Sequence, residues 1–350
     1  MSRDRAMTSA PKLVEGDRIA ILSPSFAAPG FAPAVHEQAM RRLVEATGLV
    51  PVEYPTTRKL DATPQERADD LNAAFQDASI GAILATIGGD DQITVIPHLD
   101  AQAALAHPTI FLGYSDNTNL LNWLWSLGIT GYYGGSSQVQ LGAGPGIDEV
   151  HLRSLRAALL TGGELQIVEP GESEDFGPDW LTPEALSQFG QRETVDPWAW
   201  AGPQRIVTGR TWGGCFEVVD QLAVADRLPS LDDLEGSILI LESSEEVPPA
   251  VWVMRWLRAL GERGILNAVD GVVVARPPVS SPEFVPPAEE RRRRRDEQRD
   301  AVLTEVSRYN PDAVICVGVP FGHTRPQWIL PYGGRLRLDG ATRTITANYD

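Results

Sequence analysis

Four short segments of this chain bring together the residue types that acyl transfer needs. Gly113-Tyr114-Ser115-Asp116-Asn117 ends the apolar run 109–113 and opens a helical pattern over 117–127. A serine at a strand-to-helix turn is pushed out of the sheet and set at a helix amino end, where backbone N–H groups favour developing negative charge. Asp116 or Asn117 can equally do no more than cap that helix. The last glycine of a Gly-x-Ser-x-Gly elbow is absent, with Asn117 in its place. Gly88-Gly89-Asp90-Asp91 follows the run 82–87, and glycines there let backbone N–H groups approach a ligand closely. The segment reads as half of an oxyanion hole, as a phosphate cradle, or as a plain tight turn. Leu241-Glu242-Ser243-Ser244-Glu245-Glu246 ends a third run, and a carboxylate at a strand end is well placed to orient a histidine. Glu245 and Glu246 read as helix-start chemistry ahead of Pro248. Of the five histidines, only His323, between Gly322 and Thr324, sits in a glycine-flanked loop straight after a buried strand. His36 and His151 fall in helical patterns, and His98 and His107 lie near prolines. A nucleophile, an oriented base and oxyanion donors together make acyl transfer the chemistry to test.

The elements that must position these groups alternate along the chain. Apolar runs at 18–23, 82–87 and 109–113 read as buried strands, separated by helical spacing over 33–47 and 66–77. Alternation of this kind predicts an α/β fold with a mostly parallel sheet covered on both faces. Residues 147–161 are again helical. Residues 166–202, with prolines, acidic residues and Trp180, Trp198 and Trp200, have weak periodicity and read as a linker or an aromatic active-site loop. A second α/β unit follows. Gly213-Gly214 opens a helical run to about residue 225, and 236–242, 272–275 and 313–319 are strands. Residues 250–263 and 287–308 are helices, and 334–339 and 342–348 are final strands. The expected division is an amino-terminal domain over 1–165 carrying Ser115, the connector 166–202, and a carboxy-terminal domain over 203–350 carrying Glu242 and His323.

Composition narrows the partners. With 30 basic and 47 acidic residues the net charge is −17, which argues against nucleic acid or anionic lipid as the main partner. The arginine run 291–295 is flanked by Glu289, Glu290, Asp296 and Glu297 and reads as a solvated helix face. Two cysteines, Cys215 and Cys316, exclude a disulfide framework and a cysteine-rich zinc module, and both read as buried thiols. The amino terminus lacks the apolar core of a signal peptide, and no apolar stretch reaches the ~18 residues of a membrane span. The expected location is the cytoplasm.

The same residues, in this order, resemble the LD-carboxypeptidase family of serine peptidases, which includes the microcin C immunity peptidases. The likeness runs from about Gly16 to Gly340. It is carried by Gly16-Asp17-Arg18-Ile-Ala-Ile-Leu-Ser-Pro-Ser25, Ile87-Gly-Gly-Asp-Asp91, Leu112-Gly-Tyr-Ser-Asp-Asn-Thr118, Ile240-Leu-Glu-Ser-Ser-Glu245, Gly318-Val-Pro-Phe-Gly-His323 and Leu330-Pro-Tyr-Gly-Gly334. The resemblance implies a flavodoxin-like amino-terminal domain, a smaller carboxy-terminal swivelling domain, a homodimer, and no cofactor or metal. It implies Ser115 as nucleophile, His323 as base, Glu242 as orienting acid, and an oxyanion hole from the Asp116 N–H plus Gly88 or Gly89. Ile87-Gly-Gly-Asp-Asp91 and the tryptophan-rich connector are similar to the microcin-immunity branch, whose substrate is an acyl-aminoacyl nucleotide analogue. There an aromatic side chain stacks on the base, and Trp180 is the candidate here, ahead of Trp198 and Trp200. One departure bears on substrate: many relatives have Gly-Gly-Asn where this chain has Gly213-Gly214-Cys215. Arg325, close to His323, is either a carboxylate ligand or structural. The competing readings are a murein tetrapeptide carboxypeptidase, a magnesium-dependent phosphoryl transferase using Gly88–Asp91, and a non-catalytic peptide- or nucleotide-binding module. An ordinary α/β-hydrolase should have the complete elbow, which is missing.

Overall fold

The strand Ile238–Glu242 is buried at every residue. A run with no water-facing side demands a sheet covered on both faces. The computed structural model, which describes residues 7–350, has that α/β architecture. Its first sheet has six strands in the order Leu330–Tyr332, Gly131–Tyr133, Ile110–Gly113, Ile80–Ala85, Arg18–Leu22 and Val50–Glu53. All neighbours are parallel except Leu330–Tyr332, which runs antiparallel to Gly131–Tyr133. The second sheet has eight strands: Glu164–Ile167, Thr344–Asn348, Arg335–Asp339, Ile206–Cys215, Ile238–Glu242, Gly271–Ala275, Val314–Val319 and Ala199–Ala201. Ile206–Cys215 through Val314–Val319 are parallel, and the flanking pairs are antiparallel. The chain therefore returns to the first sheet at Leu330–Tyr332 before finishing in the second. Among the described residues no helix is long and apolar enough to cross a membrane.

Parallel strands leave their carboxyl ends on one side, and that is where the reactive loops emerge. Gly88 follows Ile80–Ala85, Ser115 follows Ile110–Gly113, Glu242 closes Ile238–Glu242, and His323 follows Val314–Val319. The two sheets meet there through buried polar bonds. Trp212 Nε1 donates to Asn122 Oδ1 at 3.0 Å, the Cys215 N–H to Thr118 Oγ1 at 3.2 Å, and Tyr332 OH to the Gly213 carbonyl at 3.0 Å.

Three sequence expectations differ from the structure. Gly213 and Gly214 do not open a helix; they end the strand Ile206–Cys215, and the helix is Phe216–Val224. Both have positive φ, 136° and 125°, and the Ile240 carbonyl occupies the position of a Gly213 Cβ, so glycine is required for the neighbouring strand to approach. The connector 166–202 is not structureless. Glu172–Ser173 pairs with Glu193–Thr194, and Ala199–Ala201 forms an edge of the second sheet against Ile315–Val317. These strands are short and take partners far away in the chain, so periodicity does not expose them. The arginine run is only partly a solvated face. Arg293 and Arg294 pair with Glu290 on the helix surface, whereas Arg291 is buried, bonding the Pro286 carbonyl and Glu193. Arg295 bonds Glu193 and Asp175. Helical period brings residues four apart, Arg291 and Arg295, onto one inward face, where the connector supplies carboxylates.

Asp175 is the anchor of that connector. Its carboxylate, 3% exposed, accepts from Arg276 Nη1 at 2.7 Å, Arg295 Nη2 at 3.2 Å, the Val279 N–H at 3.0 Å and Ser280 Oγ at 2.7 Å. Burial pushes its pKa up, but Arg276 and Arg295 prevail and hold it below the usual carboxylate range. Asp175→Ala strands the buried Arg276 and is expected to lower stability by about 3–5 kcal/mol. Urea unfolding of the two proteins at pH 7 measures it, and a difference below about 1 kcal/mol would refute the anchoring role. A depressed folded pKa stabilises above the unfolded value, so the gap between the proteins should close as pH falls through the acid range.

Candidate active site

The turn after Ile110–Gly113 is built so that Ser115 projects from it. Ser115 has φ 62°, in the left-handed region that a non-glycine residue occupies only when its surroundings enforce it. Asn117 does the enforcing: its Nδ2 donates to the Ile87 and Tyr114 carbonyls at 3.1 and 3.0 Å, and its Oδ1 accepts from Gln92 Nε2 at 2.8 Å. This bridge between loops is a task for an amide, which explains why no glycine stands at 117. Glycine is needed instead at 113, where a Cβ would lie 2.8 Å from that of Asn117.

Ser115, Glu242 and His323 converge from the two sheets. His323 Nε2 is 3.0 Å from Ser115 Oγ, and His323 Nδ1 is 2.6 Å from Glu242 Oε2. Glu242 is fully buried and the His323 side chain 8% exposed. Tyr133 closes the arrangement, its OH donating to Glu242 Oε1 at 2.6 Å and accepting from the Ser115 N–H at 3.3 Å. The Tyr114 ring meets the imidazole edge-on with centroids 5.1 Å apart. Burial alone would lower the His323 pKa, but Glu242, and then Glu245, raise it well above its ordinary value. From its place ahead of Pro248, Glu245 is expected to serve the helix start. It reaches His323 Nε2 instead, at 2.9 Å.

Asp116, also singled out from sequence, turns its carboxylate inward. The side chain accepts from Ser25 Oγ at 2.6 Å, the Gln92 N–H at 2.8 Å and Asn119 Nδ2 at 3.0 Å, and desolvation raises its pKa. Its backbone therefore stays fixed beside Ser115. The two glycines diverge. A Cβ on Gly88 would lie 2.8 Å from Ser115 Cβ and 3.2 Å from the Asp116 nitrogen, whereas the place of a Gly89 Cβ is taken by Ser25. Gly88 thus faces the serine and Gly89 the supporting loop. Trp180 is half-buried, packing with Leu186 on Ala32, Val35, Ala143 and Ala185. Trp198 and Trp200 pack on the main core, with Trp200 opposite Cys316 in the edge strand.

Arg325 is structural. Its Nε donates to Asp148 at 2.6 Å, its Nη1 to the Val139 and Ala143 carbonyls at 3.2 and 2.9 Å, and its Nη2 to the Gly146 carbonyl at 2.9 Å. Cys215 is a buried thiol donating to Glu217 Oε2 at 3.0 Å, with its pKa pushed well up by burial and neighbouring carboxylates. Cys215, Glu242 and His323 offer ligand atoms within 4.8 Å of one another, but each is already committed to the bonds described.

Tyr133 and Gln92 are not singled out by the sequence, and the contacts of Ser25 and Glu245 are not legible in it. For Tyr133 a signal existed: it closes the strand Gly131–Tyr133 on the same side as Ser115. The contacts of Ser25 and Gln92 have no local mark, because their partner Asp116 is distant in sequence.

A serine, a histidine and a buried carboxylate presented from two α/β sheets form the kind of arrangement that serine hydrolases use. Models of the LD-carboxypeptidase N-terminal and C-terminal domains match residues 19–134 and 208–338. The chain belongs to the LD-carboxypeptidase family of serine peptidases. It is similar to a putative carboxypeptidase of Vibrio cholerae, 27% identical over 97% of both chains. It is also similar to the microcin C7 self-immunity protein MccF of Escherichia coli, 26% identical over 99% of this chain and 97% of that one. A structure of MccF in complex with aspartyl sulfamoyl adenosine superposes with a TM-score of 0.83 at 25% identity, covering 98% of each chain.

Proposed function

We propose that this protein is a serine carboxypeptidase-type amidohydrolase that releases an aminoacyl or peptidyl group from a nucleotide-like leaving group, as in detoxification of a peptidyl-nucleotide antibiotic. The observation that carries the reading is the continuous bonding from Glu242 through His323 to Ser115. Ser115 Oγ attacks the acyl carbon while its proton passes to His323 Nε2. Glu242 holds Nδ1–H, which fixes the tautomer and stabilises the imidazolium. The Asp116 and Gly88 N–H groups receive the oxyanion. His323 then protonates the leaving nitrogen, and the acyl–nitrogen bond breaks. Water attacks the acyl-enzyme, giving its proton to His323, and Ser115 recovers a proton as the acid departs. The likeness to MccF with its bound aspartyl sulfamoyl adenosine supports the nucleotide-like leaving group, and Trp180 is our candidate to stack on its base.

The test is mass spectrometry of the purified protein with aminoacyl sulfamoyl adenosines and with a murein tetrapeptide. Hydrolysis of the sulfamoyl adenosines is expected. Cleavage of the tetrapeptide alone would make this a murein-recycling enzyme and leave Trp180 no base to stack on. Turnover of neither would favour a binding module.

Gly88 gives a second handle. A methyl group there would press on Ser115 and the Asp116 nitrogen. Gly88→Ala is expected to slow labelling of Ser115 by a fluorophosphonate by about 10²–10³-fold, the usual effect of losing one oxyanion donor. Labelling at the parental rate would remove Gly88 from the hole.

A further inference from the structure

His323 Nε2 has two partners. Ser115 Oγ lies at 3.0 Å and Glu245 Oε2 at 2.9 Å. A carboxylate can only accept, so the contact with Glu245 requires a proton on Nε2. A protonated Nε2 cannot take the Ser115 proton. In this geometry Glu245 competes with Ser115 for Nε2 and acts as a latch on it.

The latch is held from outside the triad. Ser244, just before Glu245, donates its N–H and Oγ to Glu217 Oε1 at 3.1 and 2.7 Å. Ser243 Oγ reaches Gln298 Oε1 at 3.4 Å. Val247, just beyond, has φ 56°, a conformation a β-branched residue adopts only under constraint, and Pro248 and Pro249 follow. The turn thus aims the Glu245 side chain at the imidazole while leaving it 71% exposed, open to whatever enters. Glu246 beside it adds a second exposed carboxylate.

The neighbouring cations are occupied. Arg67 is bidentate on Asp91, and Arg325 is spent on Asp148 and three carbonyls. At 215 the thiol is turned to Glu217 and offers an incoming anion no hydrogen-bond donor of the amide kind. An acidic side chain entering beside His323 would meet like charge, whereas a basic one would meet a carboxylate whose side-chain partner among the described residues is the base it must release.

We propose that Glu245 is a specificity-determining residue that binds an ammonium or guanidinium group on the residue whose carbonyl Ser115 attacks, and in doing so releases His323 to act as base. The inference rests on the hydrolysis proposed above. It sets this enzyme apart from MccF, whose structure holds an aspartyl ligand.

The experiment compares kcat/KM for lysyl-, leucyl- and glutamyl-sulfamoyl adenosine. The wild-type protein should prefer lysyl to glutamyl by about tenfold, the effect of exchanging an attractive for a repulsive charge near a surface. Glu245→Gln should bring the two within about threefold, and Glu245→Lys should reverse the order. A purely structural Glu245 would lower all three rates together. The pH profile gives an independent readout. His323 faces Glu242 and Glu245, with the Tyr114 ring at its edge. Glu245→Gln removes one of the two carboxylates that stabilise the imidazolium, so the acid limb of kcat/KM for the leucyl substrate should move to lower pH. Equal or greater use of the glutamyl compound by the wild type, or an unchanged lysyl-to-glutamyl ratio in Glu245→Gln, would overturn the specificity role. Failure of the wild type to hydrolyse any of the three would overturn the proposed reaction itself.

Discussion

Ser115→Ala is expected to remove hydrolysis of an aminoacyl sulfamoyl adenosine almost completely, by about 10⁶-fold in kcat, the usual result of deleting the nucleophile of a serine hydrolase. What remains would be the small acceleration that bound N–H groups give to attack by water. The substitution is clean for structural reasons. Among the described residues the Oγ bonds His323 alone, and the Cβ that faces Gly88 is retained. Serine and alanine meet the same steric demand at φ 62°, so the turn held by Asn117 should persist. Thermal unfolding should shift little, and substrate should still bind. Liquid chromatography with mass spectrometry over long incubation measures the loss. Activity within tenfold of the parent would show that another group is the nucleophile. Loss of binding along with turnover would show that the turn had collapsed and that the experiment had measured folding.

The candidate site was legible because of where its members stand relative to strands. Ser115, Gly88, Glu242 and His323 each follow a continuous apolar run, and such runs are the strongest local signal in an α/β chain. Parallel pairing then gathers their carboxyl ends, so residues 208 positions apart, Ser115 and His323, meet without any local mark of it. The resemblance added the roles. What stayed hidden is what depends on side-chain direction across elements. Glu245 and Glu246 sit side by side in sequence, and nothing local says that one reaches the imidazole. The run 291–295 looks uniformly charged until the helix sends Arg291 and Arg295 toward Glu193. Gly213 and Gly214 look like a turn because the Ile240 carbonyl that requires them belongs to another strand. The edge strands of the connector have too few residues to show a period. Arg325 is near His323 in sequence, but its direction puts it among the Val139, Ala143 and Gly146 carbonyls.

Glu242→Gln isolates the one charge in the relay. The amide has the same shape, and its carbonyl oxygen can still accept from Tyr133 OH, so the link that Tyr133 makes to the Ser115 N–H survives. The other end changes sign. An NH₂ group facing His323 Nδ1 favours the tautomer with its lone pair on Nδ1 and its proton on Nε2, the reverse of what a base toward Ser115 needs. The expected loss in kcat is about 10⁴-fold. The variant also separates two contributions to the His323 pKa. Burial lowers it, and Glu242 is the larger of the two carboxylate influences that raise it. With Glu242 neutral, Glu245 is the only carboxylate left on the ring, so the residual activity should show its acid limb at lower pH than the parent. Its dependence on Glu245 should become sharper. Adding Glu245→Gln to Glu242→Gln should move the limb down again, because nothing then opposes desolvation of the imidazolium. A Glu242→Gln enzyme within tenfold of the parent, with its pH profile unmoved, would mean that Glu242 holds the loop and does not orient the base. The two-step descent in pH would assign the charge on His323 to the two carboxylates separately, one buried on Nδ1 and one exposed on Nε2.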